Sequence, residues 1–301
     1  MNNKILLIVN PCSGKAKMRT ELLSVVRILS DAGYEITVYP TKDRADATKR
    51  VQTLKDGEYP LIVVCGGDGT LNEVITGLMS ANIKCDIGYI PSGTLNEWSS
   101  SINISRNIKQ AALDITNGKH ITLDIGRFGE KNFIYTASFG AFTEASYSAP
   151  QDIKNVLGQA AYLIEGIKSL GNIKPVHLRF EADDRTVEGD FLFGAVSNSM
   201  SVGGVVKFDK AAVELNDGLF EVLLIRSPKN LVVLQSMVDG ILRKDLNREG
   251  IEFFHTKSIK VIGGKDVAWT LDGEYSEGAD EVLIENLHSA ISLIVPEAKQ
   301  Q

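Results

Sequence analysis

The sequence predicts an α/β protein with two domains, a parallel-sheet domain over residues 1–128 and a mostly antiparallel, β-rich domain over residues 129–281. In the first part, short apolar runs alternate with segments of helical period, which is typical of strand–helix units with right-handed crossovers. After residue 128, apolar runs follow one another with few helical segments between them. Strands in residues 282–301 are expected to return to the first domain.

Local patterns define each element of the first domain. An apolar run that stops at a proline or a glycine indicates a strand, and apolar residues three and four apart indicate a helix. Strands are predicted at residues 4–9, 34–39, 61–65 and 87–90, and helices up to Gly33, at 43–55, from Thr70 onwards, and at 106–117.

The second domain reads mainly as strands, with one helix at residues 152–170. A break at residues 286–289 predicts that the last strand region is a hairpin or a strand pair. Strands are predicted at residues 120–128, 132–139, 176–182, 191–197, 219–225, 251–261, 267–271 and 282–295.

Composition restricts the function classes. The formal net charge of −6 argues against a general nucleic-acid binder, which would be basic. The three cysteines, Cys12, Cys65 and Cys85, lack metal-binding spacing and fit reduced cytosolic thiols. No signal peptide is recognised, and no apolar stretch approaches the roughly 20 residues of a membrane span. We therefore expect a cytoplasmic protein that at most sits transiently on a membrane surface.

The most informative stretch is the apolar run of residues 61–65 and the glycines that follow it. Three glycines within residues 66–69 surround Asp68, and Thr70 begins the next helical segment. Glycines allow a sharp turn with uncovered N–H groups, and the positive end of a helix attracts phosphate. A carboxylate at such a place attracts phosphate only through a bridging cation. The stretch therefore predicts a nucleotide-phosphate site that needs Mg²⁺.

The alternative is a strand-to-helix turn with no ligand. The dinucleotide fingerprint GxGxxG is absent, since Asn72 stands where its last glycine is needed. The GxxxxGK[ST] phosphate loop is absent around Gly14 and Lys15, because Val9 and Ala16 occupy two of its required positions.

A second small-residue turn follows the next predicted strand. Residues 91–94 form this turn, and Thr94 could cap a helix or contact a phosphate. Thr41 also follows a strand, so its hydroxyl could contact the same nucleotide. Two such turns on successive strands favour a ligand over a plain turn, because ligands of open α/β sheets bind at the carboxyl ends of the strands.

Four strings together resemble the diacylglycerol kinase catalytic family, the lipid kinases that also include sphingosine kinases and many bacterial cytosolic members. They are GGDGTLNE at residues 66–73, PSGTLNEW at 91–98, LNDGL at 215–219 and LDGE at 271–274. NAD kinases and phosphofructokinases share the first string, so only the later ones favour a lipid kinase. The resemblance implies a phosphofructokinase-like first domain, with ATP held between it and the β-rich second domain.

By this resemblance, ATP contacts are expected at the ends of the first-domain strands. They fall on Asn10, Thr41, Gly66, Gly67, Asp68, Gly69, Thr70, Leu71, Asn72 and Thr94.

The family's Asp-Gly-Glu string places an acid near the acceptor hydroxyl. This implies catalytic roles for Asp272 and Glu274, with Glu274 as the proton acceptor, and Asp68 is the third catalytic candidate. The chemistry agrees, because phosphoryl transfer needs positioning, a cation and a group oriented on the attacking hydroxyl. Without the resemblance, the string reads equally well as a turn with solvated acids.

The family's metal-binding loop matches residues 214–219. There Asp217 would supply a carboxylate, while Glu214 and Leu219 would supply backbone carbonyls. Asp124 and Glu97 match a polar network near the cleft. Without the resemblance, the Asn-Asp-Gly of this loop reads as a turn.

Two departures from the family pattern are evident. Residues 201–206 are more apolar than expected for the family's glycine-rich loop, and many members have Asn-Asp-Phe where this chain has Asn96-Glu97-Trp98. Glu97 moves the charge by one methylene, which could shift a metal or a water and change turnover.

The sequence leaves three hypotheses open. The first is an ATP- and Mg²⁺-dependent kinase of diacylglycerol, acting at a membrane and forming phosphatidate. The second is a kinase of another acceptor, such as a sphingoid base, another lipid alcohol or NAD. The third is a nucleotide-binding regulatory protein without turnover. A homodimer is compatible with the resemblance, and no nucleic-acid partner is expected.

Overall fold

The computed structural model describes residues 3–14, 17–94, 96–140, 174–199, 201–202, 206–207 and 214–297. These belong to two compact units, and the predicted helix at residues 152–170 lies outside the described residues. Unit 1 is Met1–Leu123 with Ser289–Gln301, and unit 2 is Asp124–His288. The predicted α/β class, with parallel strands in the first part and antiparallel strands in the second, is confirmed.

Unit 1 contains a parallel sheet in the order β2-β1-β3-β4-β17. All six residues of its central strand β3 are buried, as the continuous apolar run predicts. The last strand comes from the end of the chain, where Ser292–Ile294 pair with β4. The strands are β1 (Lys4–Val9), β2 (Glu35–Pro40), β3 (Leu61–Gly66), β4 (Asp86–Pro91) and β17 (Glu281–Val295).

Five described helices connect or follow these strands. They are α1 (Lys17–Asp31), α2 (Asp46–Gln52), α3 (Asp68–Ala81), α4 (Glu97–Ser101) and α5 (Ile108–Asn117).

Three helices of unit 1 begin at residues other than those predicted, and one of them, α5, starts at Ile108 instead of residue 106. The carboxylate of Glu73 accepts the N–H groups of Ala45 (2.8 Å) and Ala47 (3.3 Å), and Ala45 has a φ of 62°. This contact from a distant helix makes α2 start at Asp46. The next helix, α3, starts at Asp68 instead of Thr70, because Gly67 occupies the N-cap position.

Unit 2 is built from antiparallel strands in the order β16-β15-β7-β9-β8-β14-β17, with β12 beside β9 and β13 beside β12. One helix, α6 (Leu231–Arg243), was not predicted from the sequence. The strands are β5 (Lys119–Phe128), β6 (Lys131–Phe133), β7 (Thr136–Gly140), β8 (Val176–Ala182), β9 (Thr186–Ser197), β10 (Ser201–Val202), β11 (Val206–Lys207), β12 (Phe220–Arg226), β13 (Ile251–Thr256), β14 (Ser258–Ile262), β15 (Trp269–Leu271) and β16 (Glu274–Ser276).

Tertiary hydrogen bonds correct three strand predictions. The predicted strand 132–139 is split, because the carboxylate of Asp272 takes the N–H groups between β6 and β7. The predicted strand 251–261 is split at Lys257, whose N–H donates to Asp183 at 2.8 Å. The predicted hairpin at the end of the chain is wrong, since β17 is continuous, and its polar Asn286 bonds to the Leu219 carbonyl oxygen at 3.1 Å.

Aromatic side chains fill the core of unit 2. The ring of Trp269 lies between Phe128 and Phe139, with 4.9 Å from its centroid to each. Phe133 stacks on Phe220 at 5.7 Å. These contacts between residues far apart in the chain hold together strands that are each too short to be stable alone.

The turns after β3 and β4 approach each other backbone to backbone. A Cβ atom placed on Gly93 would lie 2.6 Å from the Cα of Gly67 and 2.7 Å from the side-chain oxygen of Asn96. In the opposite direction, a Cβ on Gly67 would lie at an ordinary 3.4 Å from the Cα of Gly93. The close approach therefore requires glycine at position 93 but tolerates a methyl group at position 67.

We expect Gly93→Ala to lower the free energy of unfolding by about 1–3 kcal/mol, because the new methyl group meets a backbone that cannot move aside. Gly67→Ala is the matched control. We expect it to lower the free energy of unfolding by less than about 1 kcal/mol. Alanine is a poorer N-cap than glycine, but it also reduces the conformational entropy of the unfolded chain, and the two effects offset each other. Urea unfolding of both variants measures the difference, and equal costs would contradict this packing.

Candidate functional site

The loops after β1 and β4 meet α3 at the carboxyl ends of the parallel strands. The amide nitrogen of Asn10 donates to the Thr70 hydroxyl at 3.1 Å. The hydroxyls of Ser13 and Ser92 are hydrogen-bonded at 2.8 Å. Asn10 and Thr70 were predicted site residues. Ser13 and Ser92 were not, because nothing in their local sequence shows that they face each other.

Thr41 lies at the end of β2, beside the start of the same loop. Its N–H donates to the Val9 carbonyl oxygen at 2.8 Å, and its hydroxyl reaches the same oxygen at 3.4 Å. Thr41 therefore lies beside Val9, the residue that precedes Asn10.

The first turn of α3 provides the positive end of a helix. Gly67 is the N-cap, and among the described residues no side chain caps this end. A Cβ on Gly66 would lie 2.5 Å from the Thr70 side chain, so glycine is needed there too. The main-chain N–H groups of this turn form the kind of site that binds phosphate.

Two residues of the predicted nucleotide string have side chains that already serve the fold. Leu71 is fully buried, so only its main chain can contact a nucleotide. The side-chain oxygen of Asn72 accepts the Thr76 hydroxyl at 3.2 Å within the helix.

A buried tyrosine links the two glycine turns. The Tyr89 hydroxyl donates to a carboxylate oxygen of Asp68 at 3.2 Å and approaches the Asn96 side-chain oxygen at 3.5 Å. That oxygen accepts the Gly93 N–H at 3.0 Å. Burial, followed by the nearby charge of Asp68, raises the pKa of Tyr89 above its usual range, so it stays a proton donor. Tyr89 therefore orients Asp68.

Sequence reasoning missed Tyr89, although its place at the end of β4 was a signal that could have found it. The Tyr89 ring also packs against Trp98 at 6.3 Å. Trp98, noted as a departure from the family string, is thus a buried packing residue. Thr94 is exposed in the second turn, and the side chain of Glu97 lies outside the described residues.

In unit 2, Asp272 fixes the turn that carries Glu274. Its two carboxylate oxygens accept the N–H groups of Ile134 (2.6 Å), Tyr135 (2.9 Å) and Thr136 (3.1 Å). Asp272 has a φ of 51°. Because both carboxylate oxygens of Asp272 accept backbone N–H groups, Asp272 is a positioning residue for the turn. Glu274 is exposed and is therefore the better candidate for the proton acceptor.

The loop at residues 214–219 is held by Asp124. The second carboxylate oxygen of Asp124 accepts the Gly218 N–H at 2.7 Å, and the first lies 3.0 Å from a ring nitrogen of His288. The Asp124 N–H donates to the Leu215 carbonyl oxygen at 3.0 Å. Asp124 is almost fully buried, so these contacts explain how a charged residue is tolerated there.

The proposed metal ligands form a compact turn within this loop. The Leu219 N–H donates to a carboxylate oxygen of Asp217 at 2.9 Å, and Gly218 between them has a φ of 78°. Asp217 and Glu214 are exposed. The side chains described here include no group of three or more His, Cys, Asp or Glu residues that could hold a metal. A cation at this loop would therefore rely on main-chain carbonyls.

Buried acceptors without partners occur beside the loop. Neither carboxylate oxygen of Glu221 has a hydrogen-bond partner, and neither do the side-chain oxygens of Asn198 and Asn286. Burial, with a contribution from Asp217, raises the pKa of Glu221 to about 8. The main-chain N–H groups of Glu221 and Ser199 lower this pKa and oppose the rise only in part. Oxygen acceptors without donors are the chemistry that a hard divalent cation requires, so the residues present fit such an ion.

The predicted site residues thus separate between the two units. Unit 1 contains Asn10, Thr41, the turn of residues 66–70 and Thr94, while unit 2 contains Asp124, the loop of residues 214–219 and the Asp272–Glu274 turn. No helix among the described residues is long and apolar enough to span a membrane.

Two models of known protein domains match this chain. Residues 4–128 match the model of the diacylglycerol kinase catalytic domain, and residues 137–295 match the YegS C-terminal NAD kinase beta sandwich-like domain. A diacylglycerol kinase of Bacillus subtilis strain 168 is 30% identical over 98% of this chain and 97% of its own length. A diacylglycerol kinase of Staphylococcus saprophyticus is 32% identical over 91% of this chain and 90% of its own.

A solved structure extends the similarity to the fold. The crystal structure of a candidate diacylglycerol kinase from Bacillus anthracis strain Sterne has a TM-score of 0.80, with 28% identity over 97% of this chain and 95% of that one. Such kinases use a nucleotide phosphoryl donor and usually a divalent metal. The chain therefore belongs to the diacylglycerol kinase family of lipid kinases, and it is a phosphotransferase.

Proposed function

We propose that this protein transfers the γ-phosphoryl group of ATP to the hydroxyl group of diacylglycerol, forming phosphatidate and ADP. The observation that carries this proposal is the turn of unit 2, where three N–H bonds to Asp272 fix the backbone that presents Glu274 to solvent. A carboxylate on a rigid turn suits an acceptor hydroxyl, whose high pKa makes proton removal necessary. Relatives named diacylglycerol kinase support this choice of acceptor.

The donor triphosphate binds to unit 1 in this proposal. The N–H groups at the start of α3 receive phosphate oxygens, and the side chains of Asn10, Thr41 and Thr94 complete the contacts. Asp68, oriented by Tyr89, and the loop with Asp217 are the positions for Mg²⁺. When bound, Mg²⁺ neutralises phosphate charge as it develops.

The reaction then needs one proton transfer at a stated atom. The hydroxyl oxygen of diacylglycerol attacks the γ-phosphorus, and the bond from that phosphorus to the bridging oxygen breaks. The hydroxyl proton passes to the Glu274 carboxylate, and ADP is the leaving group. Asp272 stays hydrogen-bonded to the backbone throughout and takes no proton.

The acceptor is proposed to come from a membrane surface. Diacylglycerol does not leave a bilayer readily, so the enzyme must reach it there. Tyr275, directly after Glu274, is an exposed aromatic residue (61%) of the kind found at membrane interfaces. The predicted homodimer stays a prediction.

Labelled ATP with diacylglycerol in mixed micelles tests the function directly. We expect labelled phosphatidate from the wild type and none from Asp68→Asn, which keeps the shape but removes the charge. A sphingoid base, another lipid alcohol and NAD belong in the same panel. Faster phosphoryl transfer to one of these compounds than to diacylglycerol would identify that compound as the preferred acceptor. ATP binding without transfer to any acceptor would indicate a regulatory protein.

We expect Glu274→Gln to reduce kcat by about 10²–10⁴-fold, because the proton acceptor is lost. ATP affinity, measured by calorimetry, should not change, because the residues proposed to bind ATP lie in unit 1. The exposed neighbour variant Glu277→Gln is the matched control and should retain wild-type kcat. A Glu274→Gln enzyme with normal kcat would exclude this residue as the base.

We expect Tyr89→Phe to reduce kcat/KM for ATP by about 10–100-fold, because it removes a hydrogen bond that orients Asp68. Tyr59→Phe is the matched control, since its hydroxyl bonds only Thr37 among the described contacts, at 3.2 Å on the surface. Steady-state kinetics at varied ATP and Mg²⁺ make the measurement. Equal kinetics for the two variants would show that Tyr89 serves stability alone.

A further inference from the structure

Glu73 is a carboxylate on α3 that the proposed reaction does not use. Its two oxygens accept the main-chain N–H groups of Ala45 at 2.8 Å and of Ala47 at 3.3 Å. Ala45 is the residue that precedes α2, so this side chain joins one helix to the start of another. Glu73 also lies within one helical turn of Thr70. The helix that starts at the proposed phosphate site therefore also holds the end of the segment that follows β2.

The backbone at Ala45 gives this contact a purpose. Ala45 has a φ of 62° and a ψ of 8°, which is the left-handed conformation. This conformation costs free energy for alanine and persists only where the surrounding structure holds it. The bond from the Ala45 N–H to Glu73 provides such a hold. The segment of residues 42–45 thus keeps its shape through a contact that comes from α3.

The packing of α2 on α3 has other supports. The Thr48 hydroxyl donates to the main-chain carbonyl oxygen of Glu73 at 2.8 Å, and this bond does not involve the carboxylate. A Cβ atom on Gly77 would lie 2.7 Å from the Val51 side chain and 3.0 Å from the Thr48 carbonyl oxygen, so the two helices are in close contact. The Glu73 side chain therefore acts mainly on the segment before α2.

This segment begins beside a proposed ATP contact. Thr41 directly follows β2, and residues 42–44 after it are exposed. Asp46 holds the same segment, because its carboxylate accepts the Lys42 N–H at 2.9 Å and the Tyr39 hydroxyl at 3.1 Å. Thr41 and the first turn of α3 are proposed to contact one ATP molecule. A protein that already fixes two such contacts loses less conformational entropy when the ligand binds.

We propose that Glu73 is a positioning residue for ATP, which holds the segment after β2 in place relative to the start of α3. Thr41 and the phosphate-binding N–H groups of α3 can then contact one nucleotide. Loss of the carboxylate leaves both contacts in the chain but lets the segment adopt other conformations, so a smaller fraction of the protein is ready to bind. This proposal rests on the ATP site of the proposed function but not on the identity of the lipid acceptor.

Calorimetric titration of the full-length protein with ATP and Mg²⁺, without lipid, tests the proposal. Glu73→Gln keeps the size of the side chain, but its amide nitrogen cannot accept an N–H, and we expect the Kd for ATP to rise by about 5–20-fold. At saturating ATP, kcat should fall by less than about twofold, because the reacting groups are unchanged. The matched control is Glu58→Gln, which alters a carboxylate that accepts the Lys55 N–H at 3.0 Å. It should keep the parent's Kd.

A double variant separates positioning from a general loss of stability. Thr41→Val alone should raise the Kd for ATP, because it removes the hydroxyl contact. Since Glu73 acts through this contact, the double variant should bind ATP at most about twofold more weakly than the weaker single variant. Fully additive losses, or a parent-like Kd in either single variant, would overturn the proposal.

A conservative variant covers the case in which Glu73→Gln folds poorly. Glu73→Asp keeps the charge but shortens the side chain, so we expect weaker ATP binding than in the parent and faster hydrogen exchange at the N–H groups of Ala45 and Ala47. Parent-like exchange and Kd in this variant would also overturn the proposal. A protein whose ATP affinity depends on Glu73 but which phosphorylates no lipid would overturn the proposed function alone.

Discussion

The organisation of unit 1 depends on the contact between two glycines. Gly67 and Gly93 lie in the turns that follow neighbouring strands of a parallel sheet, and a side chain on Gly93 would meet the Gly67 backbone. This contact brings the Asn96 side chain onto the Gly93 N–H and lets the Tyr89 hydroxyl reach Asp68. The start of α3, the carboxylate and the second turn therefore share one location because the backbones can touch. The proposed nucleotide site is therefore formed by short turns and the start of a helix, without an additional loop or domain.

Unit 2 uses carboxylates to shape its backbone. Asp272 collects three N–H groups, Asp183 accepts the Lys257 N–H, and Asp124 accepts the Gly218 N–H. Each of these acids ends or links strands at a point where the ladder of backbone bonds is interrupted, so the carboxylate accepts N–H groups that have no partner in a neighbouring strand. Glu221 differs from these acids, since its two buried carboxylate oxygens have no hydrogen-bond partner of good geometry.

Local patterns predicted much of the fold and part of the site. The buried strand β3, the parallel order of the first unit and most of the second-unit strands follow from apolar periodicity, which is a local property. The same reasoning failed at residues 134–135 and at Lys257, where a distant carboxylate interrupts a strand whose own sequence is suitable. It also missed α6, and it misread the end of the chain because the polar residues around Asn286 resemble a turn.

The sequence by itself determined the fold class, the family and the strings that carry the candidate site, because glycines, acids and apolar runs act through their immediate neighbours. Only the tertiary structure decided the roles of individual side chains. It made Asp272 a support for the backbone, made Tyr89 a hydrogen-bond partner of Asp68, and placed the Glu221 carboxylate in the interior. The physical reason is that hydrogen bonding and burial depend on residues far apart in the chain, 138 positions in the case of Asp272 and Ile134, which no local pattern records.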